Sequence, residues 1–316
     1  MHVVTGGTGR IGSHLVKALL SKGEKVKVLV RKKDAVLPEG ATPHIGDITD
    51  KATLEGLVEA KDTVFHMAAV IDERLNDRMF YDVNVLGTTN IISACRGKGV
   101  SHLVHVSSVS VFGNPEILPA TEQCPKKPLS KYGKSKMLSE EIIVRQWRNI
   151  NSTIVRPGMI YGLGFDEGYF PVLKGLQKGM MPIIGSGENH VPLIHISDLV
   201  KALILVSEHE DAIRDDFNIT GPGHPTQREL FRTACKHLGV KEPDISVPIW
   251  LAKIALPIVS IFSKSHLSQE HLERLTRDRS FDSTKIKKNL GFEPATSLSQ
   301  GIKEMVEYYK ERRLIA

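Results

Sequence analysis

Val3–Leu20 reads VVTGGTGRIGSHLVKALL. A short β-branched run meets a turn built on Gly6, Gly9 and Gly12, and apolar residues at helical spacing follow. The first glycine permits a tight turn and the second lets backbone approach an anion. The third lets the helix pack close to the strand, and the helix start offers N–H groups to a pyrophosphate. A three-glycine spacing is weak alone, but here it joins the strand His2–Thr5 to a helix expected over Ser13–Ser21. The stretch therefore predicts a dinucleotide site.

The pattern continues outward. Strands are expected at Val26–Val30, Pro43–Ile45, Thr63–Met67, His102–Ser108 and Ser152–Val155. Helices are expected over Tyr81–Arg96 and Lys131–Trp147. Such alternation predicts an α/β fold with a doubly wound, parallel, Rossmann-type sheet. Residues 1–155 would form the dinucleotide-binding core. Residues 156–316 are mixed. A helix at Ser197–Ser207 and a strand at Asp216–Ile219 return to the core, within about residues 190–220. Two glycine- and proline-rich segments and the C-terminal part, 160–188 and 222–316, would form a smaller substrate cap, with a last helix from Ser299.

The 316 residues are 41% hydrophobic and 25% charged, ordinary for a globular chain. The net charge of +6 is scattered among acids rather than clustered, which argues against nucleic acid as a partner. Cys95, Cys124 and Cys235 form no close pair, and the chain runs straight from His2 into the glycine turn, so a cytoplasmic protein is expected. The longest apolar tract, Ile249–Phe262, is broken by Lys253 and Pro257 and is too short for a membrane span. It reads as a buried helix pair or a hydrophobic cap over substrate, and membrane contact is not expected.

Cofactor choice should be written after the second strand. An acid there would bond the ribose hydroxyl of NAD. Arg31 and Lys32 stand there instead, and Arg10 lies in the glycine turn. A guanidinium fork suits a 2′-phosphate, so NADP is expected, with NAD as the alternative. Asp47 can meet the adenine amino group, and small Ala68 and Ala69 would let backbone lie along the cofactor. Asn84, mid-helix, suits a structural amide.

Tyr132 and Lys136 stand four apart and share one helix face. A lysine there lowers the tyrosine pKa and holds a ribose, so the tyrosine can exchange a proton with an alcohol or carbonyl while hydride moves. Ser108 would hold the substrate oxygen, with Ser107 and Ser110 as rivals. His190, His195 and Asp198 lack metal-ligand spacing, and no metal is expected. Met159, Tyr161, Phe165, Tyr169 and Phe170 are the better placed to touch substrate, with simple packing of the cap as the default for each, and Asp72, Glu73 and Arg74 read equally as a rim of its pocket or a solvent-exposed loop.

The segments TGGTGRIG, GDITD, VFHMAA, VNVLGTTN, SSVSVFG, YGKSK, RPGMIYG, HVPLIHISDLVKAL, FNITG and FDSTKIKKNLGFEPATSL together resemble the extended short-chain dehydrogenase/reductase superfamily, of the NAD-dependent epimerase/dehydratase type, over nearly the full length. The resemblance implies that Tyr132 is the acid/base, Lys136 its helper and Ser108 the third member. It implies a homodimer through two helices per subunit. Pro157 would begin the segment that passes the nicotinamide. With Ile11, Ile48, Met67, Asn84, Val106, Met159 and Ile160 it completes the expected cofactor set. Dehydratases of this kind carry Asp-Glu after the hydroxyl residue, where Val109 and Ser110 stand. The chain looks most similar to the 3β-hydroxysteroid dehydrogenase-like and dihydroflavonol-reductase-like branch. That implies an NADP-dependent oxidoreductase acting on a small-molecule secondary alcohol or ketone, bulky and hydrophobic. The alternatives are a nucleotide-sugar 4-epimerase with retained NAD and a non-catalytic NADP-sensing protein.

Overall fold

The computed structural model describes residues 1–254 and 276–315. Seven parallel strands form the central sheet: β1 (His2–Thr5), β2 (Val26–Val30), β3 (Thr42–Ile45), β4 (Thr63–His66), β5 (His102–Val106), β6 (Ser152–Pro157) and β10 (Asp216–Ile219). Their order is β10-β6-β5-β4-β1-β2-β3, so the winding reverses between β1 and β4. In open parallel sheets that crevice takes the ligand.

Neighbouring residues on each strand feed opposite cores. Val4, Phe65, Val104 and Val155 pack with α1 (Arg10–Ser21) and, later in the chain, α6 (Ile196–Glu208) and α8 (Thr284–Leu290). Val3, Val64, Leu103 and Ile154 pack with α3 (Gly87–Cys95) and α4 (Lys131–Arg145) on the other face. Both faces are covered, which is why these strands read as continuous apolar runs rather than alternating ones.

Two expected boundaries move by three residues or more. The first helix begins at Arg10, with Gly9 as its N-cap, three residues before the expected start. The helix expected from Tyr81 begins as α2 at Asp77–Phe80, where the Asn76 side chain accepts from Met79 N. It passes through a π-turn at Tyr81–Leu86 into α3.

The remaining elements build a smaller lobe. Short β7 (Met159–Tyr161) pairs with β9 (Leu193–His195), and β8 (Ile183–Ile184) with β11 (Ser246–Val247). Helices α5 (Asp166–Gln177), α7 (Gln227–Leu238) and α9 (Leu298–Glu311) share a core of Tyr161, Leu173, Phe231, Met305 and Tyr309. The apolar tract Ile249–Phe262 lies outside the described residues from 255 onward; its described start leaves Trp250 64% exposed.

A buried ion network ties α4 to the sheet. Arg156 on β6 is fully buried and grips Glu140 of α4 with two bonds, Nε–Oε1 at 2.8 Å and Nη2–Oε2 at 2.9 Å. Lys126 reaches the same carboxylate at 2.6 Å, and Asp216 on β10 reaches Arg156 at 2.5 Å. Burial alone would raise the Glu140 pKa, but the Arg156 and Lys126 charges outweigh it and hold it low. Removing one partner of such a pair strands the other charge. Glu140→Leu is therefore expected to lower unfolding free energy by about 3–5 kcal/mol, read as a fall in the urea midpoint.

Candidate active site

The glycine turn closes on itself. Gly6 has φ +73°, and a Cβ there would stand 2.8 Å from Ala68 N. A Cβ on Gly12 would stand 2.2 Å from Gly6 O, so the helix seats directly on the turn. No side chain caps α1 and no acid lies in its first turn, which leaves its positive end for an anion. Gly12→Ala is expected to weaken dinucleotide binding at least about tenfold, since a clash this close displaces the turn. Calorimetric titration checks it.

A cleft of about 710 Å³ opens in front of this turn, at the ends of β1 to β4. Of the residues expected to meet a cofactor, Gly6, Gly9, Arg31, Asp47, Ile48, Met67, Ala68 and Ala69 line it. Asp47 is held by Thr49, whose backbone N and hydroxyl both donate to Oδ1, at 2.9 and 2.8 Å. Gly12 and Ile11 lie behind the lining in the first turn of α1. Arg10 and Lys32 are not in the lining either, so the cleft does not gather the cations expected around a 2′-phosphate. Arg78, Met79, Asp82, Val83 and Leu86 do line the cleft and were missed. The Asn76-Asp77 pair, an N-cap followed by an acid in the first turn, was the signal that the helix begins early enough to present them.

The second half of the site stands on β5 and α4. Ser108 follows β5 and caps a 3₁₀ turn, its Oγ accepting from Ser110 N at 3.1 Å. Gly133 brings α4 onto that turn: a Cβ there would stand 2.7 Å from Ser110 O. Ser130 caps α4 by accepting from Gly133 N. Tyr132 is half-buried at the first turn, and its backbone N donates to the Glu73 carboxylate at 3.2 Å. Lys136 is buried one turn further in, and its Nζ donates to Val106 O at 2.7 Å. Burial pushes its pKa down to about 8, although Glu140 pulls it up. An ammonium so placed titrates near neutrality and stays close to the tyrosine helix face.

Ser107 is buried with no hydrogen-bond partner for its Oγ among the described residues, and Ser110 is bonded to Ser108. Pro157 ends β6, Met159 and Ile160 open β7, and none of the three lines the cleft. Asn84 is buried in the π-turn, holding Val70 through both amide atoms. Tyr161, Tyr169 and Phe170 pack in the smaller lobe's core rather than in the cleft. Asp72 pairs with Arg74, while His195 caps α6 through Ser197.

Fold and site together define a dinucleotide-dependent oxidoreductase acting on a CH–OH group. The sequence profile of the NAD dependent epimerase/dehydratase family matches residues 2–220. The chain belongs to that family. It is 27% identical to an N-acetyl-α-D-glucosaminyl-diphospho-ditrans,octacis-undecaprenol 4-epimerase of Escherichia coli O157:H7, over 97% of this chain and 94% of that protein. It is 31% identical to a sterol-4-α-carboxylate 3-dehydrogenase (decarboxylating) of Bos taurus, over 78% of this chain and 72% of that one. The UDP-glucose 4-epimerase of Thermotoga maritima, solved with UDP-glucose, superposes with a TM-score of 0.80 at 25% identity, over 99% of this chain and 100% of that one. These relatives do not single out a steroid- or flavonoid-reducing branch.

The expected preference for NADP is corrected. A DesIV double mutant, a dTDP-glucose 4,6-dehydratase from Streptomyces venezuelae, was solved with NAD bound; it is 26% identical with a TM-score of 0.80, over 99% of this chain and 98% of that one. The physical reason lies in the cleft wall, where Arg31 stands without Lys32 or Arg10. Arg78, the second guanidinium in that wall, pairs with Asp82 at 3.3 Å, so the cleft offers a 2′-phosphate fewer cations than the sequence suggests.

Proposed function

We propose that this chain is an NAD-dependent 4-epimerase acting on a sugar linked to a diphosphate, with a nucleotide sugar as the first substrate to test. The observation that carries the chemistry is Lys136, buried beneath the tyrosine face and fixed on Val106 O. In this reading Gly6, Gly9 and Gly12 cradle the pyrophosphate, with Arg10 and Ile11 beside them in the turn. Asp47 and Ile48 meet the adenosine, and Met67, Ala68 and Ala69 lie along the dinucleotide. Lys136 holds the nicotinamide ribose, and Val106, Pro157, Met159 and Ile160 lie about the nicotinamide. The uncapped end of α1 and the crowded Gly12 fit such a group. When bound, nicotinamide accepts and returns hydride. Ser108 and Tyr132 bond the reacting oxygen. Tyr132 takes its proton and later gives it back, which needs no exchange with solvent. Val109 and Ser110 stand where a dehydratase would need acids, so elimination is outside this reading.

The smaller lobe, 160–188 and 222–316, is the substrate region in this proposal. Exposed Tyr81, Leu138 and Val144 mark a helix face for a homodimer. A second reading, oxidation of a bulky apolar alcohol, is favoured by the sterol relative and by the exposed start of the apolar tract, Ile249–Ile254.

One experiment separates the two. Freshly purified protein is denatured and its released dinucleotide quantified, then UDP-sugars are screened by chromatography for the 4-epimer. Near-stoichiometric NAD with interconverted sugars supports the epimerase. An empty protein that reduces added NAD with a sterol-like alcohol supports the second reading.

A further inference from the structure

Beneath the tyrosine–lysine pair, the sheet carries a polar row that the mechanism does not use. Thr5, His66 and His105 are aligned across β1, β4 and β5, and all are buried. His66 Nδ1 lies 2.8 Å from Thr5 Oγ1, and its Nε2 lies 2.9 Å from Thr88 Oγ1.

The neighbours fix where the protons sit. Thr88 Oγ1 is 2.6 Å from Asn84 O, and only the hydroxyl can donate there. Its single proton is thereby used, so Thr88 accepts from His66 and Nε2 carries the hydrogen. Neutral Nδ1 is then an acceptor, and Thr5 donates to it. Thr5 Oγ1 in turn accepts from Met67 N and Ala68 N, both at 3.3 Å, on the floor of the cleft.

The other end of this chain reaches α4. Asn84 Nδ2 donates to Ser135 Oγ at 2.8 Å, and Ser135 donates to Tyr132 O at 2.8 Å. Ser139 Oγ lies 2.7 Å from Asn84 O and 2.8 Å from Ser135 O, and its one proton serves the two between them. The π-turn spreads the backbone there, which opens the Asn84 carbonyl to side-chain hydroxyls inside a helix. Burial holds the His66 pKa down at about 3, with the Lys136 charge acting the same way. The His105 ring, 5.4 Å away, is the other titratable neighbour, and burial keeps it neutral as well. A single tautomer therefore persists at working pH.

We propose that His66 is a positioning residue: as the Nε2–H imidazole it ties the Met67–Ala68 backbone to the Asn84–Ser135 contact, and so sets where Tyr132 stands relative to the dinucleotide. This rests on the reading of Tyr132 as the proton carrier.

The test uses the NAD-bound protein and needs no substrate. Histidine-¹⁵N spectra give the tautomer. Absorbance differences against Tyr132→Phe give the Tyr132 ionisation midpoint in wild type, His66→Gln, His66→Asn and His66→Leu. Gln reaches Thr88 as Nε2 does, whereas Asn reaches only Thr5. The expected result is a protonated Nε2, a midpoint within about 0.3 unit of wild type in the Gln variant, and a shift of at least about 0.5 unit in the Asn and Leu variants. A protonated Nδ1 overturns the proposal. So does an unmoved midpoint in all three variants alongside a common loss of melting temperature, which is what a merely structural residue would give. If wild type shows no Tyr132 ionisation below about pH 10, the reading of Tyr132 itself fails, and the positioning role fails with it.

Discussion

Tyr132→Phe is expected to lower turnover by about three orders of magnitude while leaving NAD affinity within about twofold. The ring stays, so α4 keeps its packing on the Ser108–Phe112 turn. Only the hydroxyl that exchanges the proton is lost. Because Lys136 is pinned on Val106 O, it stays in place, where the proposed function has it hold the ribose. Paired measurements of NAD binding and steady-state rate separate the two effects. A variant that keeps full turnover would sink the acid/base assignment. One that loses NAD binding as well would show that the tyrosine acts on the cofactor rather than on the substrate.

The second large effect is a steep loss of stability in mild acid. His66, His102 and His105 are buried and neutral. Burial is the largest cause in each, taking His66 to about 3, His102 to about 4 and His105 well below its ordinary value. Their folded pKa values lie below the unfolded value near 6.5, so the unfolded chain binds protons first as pH falls. Stability is unaffected by these groups above about pH 6.5 and declines below it, until His102 titrates in the folded state near pH 4. Between roughly pH 6 and pH 5 these three rings alone contribute nearly three protons to the difference between the states, a share of the slope of about 4 kcal/mol per pH unit. Urea midpoints at about pH 7.5, 6 and 5 read it directly. His102→Gln, which keeps a donor toward Thr153 Oγ1, should reduce the slope by about one third. An unchanged midpoint across this range would mean that the rings take up protons in place.

Much of the core was legible because its signals are local. The strand–glycine–helix opening, the β-branched runs at Val26–Val30 and His102–Val106, and the four-residue step from Tyr132 to Lys136 each announce an element without help from distant sequence. The helix over Asp77–Cys95 is only half legible, because its apolar spacing sets in after the Asn76 cap and no spacing rule announces a π-turn. The strands β8 and β11 have two residues each, too few for any period to show. The cofactor preference failed for a different reason. Arg10, Arg31 and Lys32 are near one another in the sequence logic, yet only Arg31 reaches the cleft wall. Likewise nothing near Arg156 in the sequence names Glu140 or Asp216 as its partners, because the three meet only when β6, β10 and α4 assemble.

Tyr132, Lys136 and Glu140 share one edge of α4 at steps of four. The distance from Tyr132 to Glu140 is about 12 Å along the axis, so one short rod carries the proposed proton carrier in its first turn and the ionic clamp well along its length. A rod of that length is a lever. Tilting it by about 10° around the clamp would carry the tyrosine end by about 2 Å, and displacements of that order cost roughly a hundredfold in rate. The outward side of the same rod bears Leu138 and Val144. With Tyr132 as the proton carrier, anything that leans on those side chains would push on the chemistry, and the pace of the reaction would be set in part by residues that never meet the substrate.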